Sequence, residues 1–270
     1  MAESTISAGP GQSQSGSGVP RLQLKNISKT FGAVRALANV DFEVYPNEVV
    51  GLVGDNGAGK STLIKTMSGA YVPDEGDIFI DGQKVTIASP QDSTRLGIET
   101  VYQDLALCDN LDVVANLWLG REAKQAIIPG VIGTLNETEM ERLTLEVLRS
   151  LDVKIPSVRL PVATLSGGQR QSIAVAKTIL RKPKVVLLDE PTAALGVAQT
   201  RQVLNLILRL KEQGLAVVVI SHNLHDVFEV VDRVIVMRLG KRAGTFTIKN
   251  TTPERVVAAI TGAEFGDAPA

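Results

Sequence analysis

A glycine-rich run that ends in a lysine and two hydroxyl residues has the composition of a phosphate-binding loop. An apolar, β-branched run at residues 48–53 precedes it, and a helical pattern at residues 63–68 follows it. Strand, glycine-rich loop and helix, in this order, form the context that a P-loop requires. The loop consists of Gly54, Asp55, Asn56, Gly57, Ala58, Gly59, Lys60, Ser61 and Thr62.

Each residue type in this loop has a use beside a phosphate group. The glycines let successive backbone N–H groups turn into one concavity, and the following helix adds the positive end of its dipole. Lys60 can reach the β- and γ-phosphates, and Ser61 can offer its hydroxyl to Mg²⁺. The alternative interpretation is a glycine-rich turn before an ordinary helix, because short patterns do match by accident.

Two carboxylates end an apolar run later in the chain. Asp189 and Glu190 follow the apolar residues 185–188. A buried strand has no structural use for acids at its tip, since buried charge is costly unless it is paired. Next to a P-loop, Asp189 would hold Mg²⁺ through water, and Glu190 would orient and polarise the attacking water. The alternative is a pair of solvated acids that open a turn at Pro191.

A second candidate phosphate cradle lies between these two motifs. Its residues open a helical pattern and are Leu165, Ser166, Gly167, Gly168 and Gln169. Ser166 is a good N-cap, and the glycines permit close backbone approach to an anion. A merely capped turn is the alternative. One active site does not need two cradles, whereas a head-to-tail dimer does, because each cradle then closes the other subunit's site.

Hydrophobic periodicity predicts the elements that position these motifs. Antiparallel strands are expected around the P-loop unit, including two short strands at 34–40 and 41–45 and a hairpin of 77–80 with 84–87 around Asp81-Gly82. Buried parallel strands are expected at 184–188 and 216–220. Helices are expected at 172–180, 200–213, 224–231 and 253–260, the last capped by Thr252.

The middle of the chain has a different, helical pattern. Helices are predicted at 116–122 and 137–151, the second with Asn136 as its N-cap, and residues 127–133 are predicted to form a loop. Residues 1–20 and 263–270 are rich in small and polar residues and nearly free of large apolar ones, so both are predicted to be disordered tails.

Composition excludes several classes of protein. The chain has 270 residues, of which 44% are hydrophobic, and its net charge is −1, so no basic field indicates nucleic acid as a partner. The one cysteine, Cys108, excludes an intramolecular disulfide and a cysteine-based zinc cluster, and we expect a packed or surface thiol there. No apolar run is long enough to span a membrane and no secretory signal is visible, so we expect a soluble, cytoplasmic protein unless a membrane partner holds it.

Taken together, the three motifs in this order resemble the ATP-binding subunit of ABC transporters, over about residues 21–262. The resemblance implies an α/β fold with a P-loop NTPase (RecA-like) core, an antiparallel β subdomain and an inserted helical subdomain at about residues 104–164. It implies ATP and Mg²⁺ as ligands and a second copy of the chain as partner. Two ATP molecules would lie at the shared interface, where the opposite copy contributes Ser166, Gly167, Gly168 and Gln169.

The resemblance assigns roles to further residues. Gln103 lies where the family has its Q-loop glutamine, and would sense Mg²⁺ or the attacking water; a buried, hydrogen-bonded glutamine is the alternative. His222 matches the switch histidine, which would contact the γ-phosphate and help position Glu190, whereas His225 is expected at the surface. Phe31 matches the aromatic residue that stacks on adenine, with a core residue as the alternative.

These assignments give a catalytic set and a metal-binding set. The catalytic residues would be Glu190, His222 and Gln103, and the metal would be held by Ser61, Gln103 and Asp189. One departure from the family concerns the loop after Pro191-Thr192, where Gly196 stands in place of the usual aspartate. That loop crosses the dimer interface, so the loss of the carboxylate puts in doubt how tightly hydrolysis at the two sites is coupled.

Residues 97–105 and 110–116 resemble the monosaccharide importer branch of the family, which serves ribose, xylose, fructose and similar sugars. Among its single-domain members, fructose importers are the nearest match. This implies membrane permease subunits as partners, a sugar-binding protein as an indirect one, and a peripheral location on the cytoplasmic face of the inner membrane. The alternatives are an importer for a non-sugar substrate, a soluble ABC-type ATPase acting on DNA or ribosomes, and a regulatory module that binds nucleotide without turnover.

Overall fold

A computed structural model describes residues 18–128 and 132–263. In this part of the chain the strands are β1 Leu22–Phe31, β2 Val34–Val44, β3 Val49–Gly54, β4 Glu75–Ile80, β5 Gln83–Val85, β6 Ile98–Val101, β7 Lys124–Ile128, β8 Ile132–Leu135, β9 Val185–Asp189, β10 Ala216–Ile220, β11 Arg233–Arg238 and β12 Lys241–Thr247. The helices are α1 Lys60–Met67, α2 Pro90–Arg95, α3 Val113–Trp118, α4 Glu137–Ser150, α5 Gly167–Ile179, α6 Val197–Glu212, α7 Leu224–Val230 and α8 Pro253–Thr261.

A six-stranded sheet in the order β12-β11-β3-β10-β9-β6 forms the centre of the fold. Five of its strands are parallel and β12 is antiparallel at one edge. Residues 185–188 and 216–220 are buried along their whole length, as expected for strands covered on both faces. Because parallel strands end at the same edge, the residues that follow β3, β6, β9 and β10 lie at one edge of the sheet.

The sheet separates two hydrophobic cores. Alternate residues of β3 face opposite sides, so Val49 and Val53 belong to one core, while Val50 and Leu52 belong to the other. The first core packs against α5 and α6. The second packs against α1 and a four-stranded antiparallel sheet in the order β2-β1-β4-β5. The P-loop helix is therefore fixed between two sheets.

Between β6 and α5 lie α3, a separate hairpin of β7 with β8, and α4. Asp112 caps α3 by accepting from the backbone N–H of Ala115 at 2.7 Å. Asn136 caps α4, as predicted, by accepting from the backbone N–H of Glu139 at 3.1 Å. The boundaries of a helical subdomain at 104–164 stay a prediction.

Several predicted elements are corrected by the structure. The helix predicted at 116–122 spans Val113–Trp118, because its cap is Asp112 and the backbone leaves the helical conformation at Leu119. Residues 34–40 and 41–45 form one strand, and the strand predicted at 84–87 is the shorter β5. Thr252 stands at the N-cap position of α8, but its side chain makes no capping hydrogen bond.

The loop predicted at 127–133 is also wrong at both of its ends. Ile128 and Ile132 are paired in the antiparallel hairpin of β7 and β8, since β-branched residues favour strands. Residues 129–131 lie outside the described part of the chain, and so do residues 1–17 and 264–270 of the predicted tails. α2 and β6, which carry no strong periodicity, had no counterpart in the prediction.

Candidate active site

The P-loop joins the end of β3 to the start of α1 and closes on its own lysine. The ammonium of Lys60 donates to the carbonyl oxygens of Gly54, at 2.8 Å, and of Asp55, at 3.0 Å. Lys60 is only 9% exposed. Burial therefore lowers the pKa of its amine, against the opposing charges of Glu190, Asp55 and Asp189. The loop is thus held in a compact form with its cation at the centre.

Close approach to neighbouring backbone explains two of the loop glycines. A Cβ on Gly54 would lie 2.2 Å from the carbonyl oxygen of Met237. A Cβ on Gly59 would lie 2.8 Å from the carbonyl oxygen of Ala36, and the φ of Gly59 is +104°, which only glycine adopts readily. The P-loop is therefore seated against β11 and β2 as well as against α1.

The cleft above the loop has a volume of about 500 Å³. It is lined by Val34, Arg35, Ala36, Asn56, Gly57, Ala58, Gly59, Lys60, Ser61, Thr62, Leu239 and Gly240. The motif contributes most of this lining, but Val34 and Leu239 were missed by the sequence analysis. They are 66% and 75% exposed in the structure, and no signal in the sequence marks them as cleft residues.

Phe31 lies beside this cleft but does not line it. It ends β1, pairs with Val34 and is 41% exposed, so the alternative of a core residue is wrong. Its ring packs edge-on against Tyr71, with ring centroids 5.0 Å apart, and the Lys29 ammonium lies 5.6 Å from its centroid. A role in stacking on adenine stays a prediction.

Asp189 and Glu190 lie at the end of β9, next to β10 and one strand away from β3. The backbone N–H of Glu190 donates to the Ile220 carbonyl at 2.9 Å, and Glu190 has a φ of +50°, rare for a residue with a side chain. The carboxylate of Glu190 is 17% exposed, and its Oε2 lies 2.8 Å from Nδ1 of His222. The structure therefore joins two of the predicted catalytic residues directly.

The acids and the P-loop lysine form one electrostatic unit. Burial raises the pKa of Asp189, and the neighbouring charge of Glu190 adds to this, while Lys65 and Lys60 oppose it. A half-buried carboxylate with a raised pKa next to a second carboxylate is a place where added positive charge is favourable. Asp189 therefore has the environment of a cation ligand.

Gln103 is exposed, two residues beyond the end of β6. The register of β6 places Val101 opposite Leu188, so Gln103 lies at the edge of the sheet where Asp189 and Glu190 are found. The alternative of a buried, hydrogen-bonded glutamine is therefore wrong. The predicted contact of Gln103 with a metal or water stays a prediction.

The second cradle is complete in its own hydrogen bonds. Ser166 caps α5, with its Oγ accepting from the N–H of Gln169 at 3.3 Å while its own N–H donates to Oε1 of Gln169 at 3.0 Å. Ser166 and Gly167 are exposed, and Gly168 is buried against Gln199 of α6. None of residues 166–169 lines the P-loop cleft, so the structure does not bring the two cradles together within one chain.

The other residues singled out in the sequence are Gly196, Cys108 and His225. Gly196 caps α6, and its N–H donates to Oε1 of Gln199 at 3.1 Å. Cys108 is a free, partly buried thiol, and the amide of Asn116 holds its backbone on both sides. The His225 side chain is 83% exposed and contacts Glu229, as expected for a surface residue. No helix among residues 18–128 and 132–263 is long and apolar enough to cross a membrane.

A family model described as "ABC transporter" matches residues 37–193, which include the P-loop, the second cradle and Asp189-Glu190. The chain belongs to the ABC transporter family. As a member of this family it is an ATP-binding cassette with ATPase activity. The α/β fold predicted from the sequence is confirmed by solved cassettes of such transporters.

The cassette is similar to curated relatives along nearly its whole length. It is 45% identical, over 91% of this chain and 95% of the relative, to the fructose import ATP-binding protein FrcA of Rhizobium meliloti. It is 44% identical, over 91% and 95%, to the xylose/arabinose import ATP-binding protein XylG of Sulfolobus acidocaldarius. A ribose import ATP-binding protein of Clostridium tetani is 40% identical over 90% of this chain, which spans 47% of that relative.

Solved ABC cassettes have the same fold. A nucleotide-free cassette of an ABC transporter is 27% identical, with a TM-score of 0.75 over 89% of this chain and 98% of the other. A dimeric post-hydrolysis cassette bound to ADP and Pi is 26% identical, with a TM-score of 0.69 over 85% of this chain and 100% of the other. The resemblance to the ATP-binding subunit of ABC transporters is therefore confirmed for both the fold and the family.

Proposed function

We propose that the cassette is the ATP-hydrolysing subunit of a membrane importer for a monosaccharide, with a fructose-like sugar as the first substrate to test. One observation carries the ATPase part: the carboxyl edge of the sheet collects Lys60, Asp189 and the pair of Glu190 with His222, whose Oε2 and Nδ1 atoms are 2.8 Å apart. The sugar part is supported by two curated sugar-import relatives, each matched over 95% of its length. Sugar recognition itself would lie in partner chains.

The P-loop residues would bind the phosphates. Residues 56–61 line the cleft and would present backbone N–H groups to the phosphates, and Lys60 would exchange its contacts with the Gly54 and Asp55 carbonyls for phosphate oxygens. This exchange moves the ammonium from neutral acceptors to anionic ones, so the attraction between opposite charges is added to its hydrogen bonds. Binding would therefore be driven by charge pairing at Lys60.

The residues fit a divalent cation held together with the nucleotide. No group of three or more His, Cys, Asp or Glu side chains in the described ranges could hold a metal alone. Mg²⁺ prefers one or two protein oxygens together with phosphates, and Ser61, Asp189 and Gln103 offer oxygen ligands. When bound, it would neutralise charge on the phosphate oxygens. The raised pKa of Asp189 supports this assignment, because a nearby cation would favour its charged form.

Glu190 would act on the attacking water. Its carboxylate is partly buried and is oriented through Oε2 by Nδ1 of His222, so its remaining oxygen can accept the proton of a water molecule. A neutral imidazole has one N–H. If His222 donates to Glu190 through Nδ1, only the doubly protonated ring also donates through Nε2 to a phosphate oxygen. His222 would therefore contact Glu190 and the γ-phosphate at once only when it is charged.

The second cradle supports an assembly of two copies. Ser166 and Gly167 are exposed and do not belong to the P-loop cleft of their own chain. In a head-to-tail pair they would close over the γ-phosphate of the opposite copy, and a related cassette is described as dimeric with ADP and Pi. Hydrolysis would remove this shared contact and let the dimer open. Gly196 leaves the interface loop without its usual carboxylate.

Membrane permease subunits and, through them, a sugar-binding protein would complete the importer at the cytoplasmic face of the inner membrane. The test is to tag the cassette, isolate it from detergent-solubilised membranes of its own cells and identify the chains that co-purify. The complex is then reconstituted in vesicles, and ATPase activity is measured with fructose, xylose, ribose and an amino acid. Stimulation by one sugar is expected. Stimulation by the amino acid alone, or isolation without membrane subunits, would contradict monosaccharide import.

A further inference from the structure

Helix α5 carries the second cradle at its first residues, and a single arginine holds its other end. Nη2 of Arg121 donates to the carbonyl of Lys177, in the last turn of α5, at 2.7 Å. The same nitrogen donates at 2.9 Å to the carbonyl of Leu117, at the end of α3, and Nε donates to it at 3.2 Å. One guanidinium therefore joins the carboxyl ends of two helices, where a cation is favourable.

Trp118 extends this junction to α4. The centre of the Arg121 guanidinium lies 5.8 Å from the centroid of the Trp118 ring. The indole Nε1–H donates to the carbonyl of Met140, at 3.0 Å, and to Oγ1 of Thr144, at 3.1 Å, both on α4. Thr144 is fully buried. Arg121 and Trp118 together therefore connect the helices α3, α4 and α5 through side-chain contacts.

The segment after Gln103 is fastened to the same unit. The Lys177 ammonium donates to the carbonyl of Ala106 at 3.3 Å, and Arg170 of α5 pairs with Asp109 at 2.6 Å. The fully buried Asn116 of α3 binds the backbone N–H of Cys108 at 2.7 Å and its carbonyl at 2.9 Å. These contacts therefore link the segment after Gln103 to both α3 and α5.

Arg121 is held in this position at some electrostatic cost. Burial lowers its pKa, and the neighbouring charge of Arg181 lowers it further, while Glu99 opposes both. Arg181 itself is paired with Glu99 at 3.0 Å. The two helix carbonyls offset the cost of burial, since hydrogen bonds to a charged donor are strong. Because the hydrogen bonds of the half-buried Arg121 reach two helices, its guanidinium links these helices and is not an isolated surface charge.

We propose that Arg121, supported by Trp118, is a positioning residue for ATP hydrolysis: it makes α3, α4 and α5 one rigid body, so that a movement beginning beside Gln103 is delivered to Ser166 at the far end of α5. The proposal rests on the proposed function, because Ser166 must contact the opposite copy's nucleotide. A capping role alone would stabilise the helices without affecting the position of Ser166. The two roles differ in what happens when Ser166 is removed.

The experiment measures steady-state ATPase activity of the full chain for wild type, Arg121→Met, Ser166→Ala and the double variant. Arg121→Met keeps the aliphatic stem and removes every donor. We expect kcat to fall about tenfold, within the range that coupling residues produce, while KM for ATP stays near that of wild type because the P-loop is untouched. The matched control is Arg142→Met, because the Arg142 guanidinium on α4 pairs with Glu139 and Glu146 of the same helix.

The double variant separates positioning from stability. If Arg121 acts through Ser166, the double variant is no slower than Ser166→Ala alone. Arg121→Lys keeps the charge but reaches one carbonyl at a time, so an intermediate kcat is expected; it also serves if Arg121→Met does not fold. An unchanged kcat in Arg121→Met or Arg121→Lys, or a double-variant loss equal to the product of the two single losses, overturns the proposal alone. A Ser166→Ala variant as active as wild type overturns the proposal together with the proposed function.

Discussion

The two phosphate cradles of this cassette are built in opposite ways. The P-loop is concave, its lysine is 9% exposed, and Gly54 and Gly59 approach the backbone of two other strands. The cradle at Ser166 is the exposed first turn of an otherwise largely buried helix, and its serine and Gln169 already satisfy each other's hydrogen bonds. The P-loop therefore forms a complete cavity within one chain, whereas the cradle at Ser166 is an exposed surface.

This difference indicates which half of the chemistry a single chain can perform. A cavity with a buried cation and a neighbouring pair of acids can bind a nucleotide and carry a water-activating base. A capped helix start with small exposed residues can contact an anion only if another surface presents one. Nucleotide binding should therefore survive changes at Ser166, while changes in the P-loop should abolish every later step.

Lys60→Ala is expected to give the largest effect. The variant removes the cation at the centre of the P-loop, so kcat/KM for ATP should fall by at least about a hundredfold, as for loss of a principal transition-state contact. Lys65→Ala, on the same helix, is the matched control and should stay close to wild type. Activity assays and nucleotide binding to the purified variants measure this; near-normal binding by Lys60→Ala would contradict the comparison.

Glycine replacements should separate the cradles by stability. Gly59→Ala places a Cβ 2.8 Å from the Ala36 carbonyl at a φ of +104°, and we expect a loss of about 2–4 kcal/mol in the free energy of unfolding. In Gly167→Ala the new Cβ would meet the movable end of Leu195, 2.9 Å away, and lie in ordinary contact with Oε1 of Gln199 at 3.8 Å, so the change should be below about 1 kcal/mol. Urea unfolding of both variants without nucleotide measures these free energies. Equal losses of stability in the two variants would contradict the difference between the two cradles.

Asp189→Asn should have only a small effect on the free energy of unfolding, and its sign is unusual. The raised pKa of Asp189 means that the folded state favours its neutral form. The charged carboxylate therefore costs stability above the folded-state pKa, and this cost disappears as the pH falls below 3.8, the ordinary pKa of an aspartate. The nucleotide-free variant should be more stable than wild type by roughly 1 kcal/mol at pH 7, while hydrolysis is lost.

The matching experiment is urea unfolding of wild type and Asp189→Asn at pH 7 and at low pH. The stability gain should shrink as the pH falls toward 4. A variant that is less stable than wild type at pH 7 would show that the charged Asp189 carboxylate is already stabilised by pairing in the folded chain without a bound cation.

The sequence predicted the P-loop and the acids because both depend on contiguous residues. A loop that turns backbone N–H groups inward needs adjacent glycines, and acids at the tip of a buried strand are visible against an apolar run. The parallel strands β9 and β10 were visible for the same reason. Residue types within a short window of sequence were sufficient to predict all of these features.

Features that join distant residues were not visible. Val34 and Leu239 meet at the P-loop cleft from two turns more than two hundred positions apart, and neither position has an unusual neighbour in sequence. Arg121 contacts Lys177 across helices whose packing no local pattern specifies. Tertiary contacts decided both of these cases. The start of α3 was missed for a local reason, because the apolar spacing at residues 116–122 outweighed the cap at Asp112.

The most direct test of the two-cradle interpretation is the mass of Glu190→Gln with MgATP, measured by light scattering. The substitution keeps hydrogen bonding and removes the base, so the protein should bind ATP, fail to hydrolyse it and double in mass. Adding Ser166→Arg should return it to a monomer with ATP still bound, whereas adding Ser150→Arg, at an exposed serine on α4, should not. A Glu190→Gln protein that stays monomeric at saturating ATP and high protein concentration would contradict closure of each P-loop by the opposite copy's Ser166.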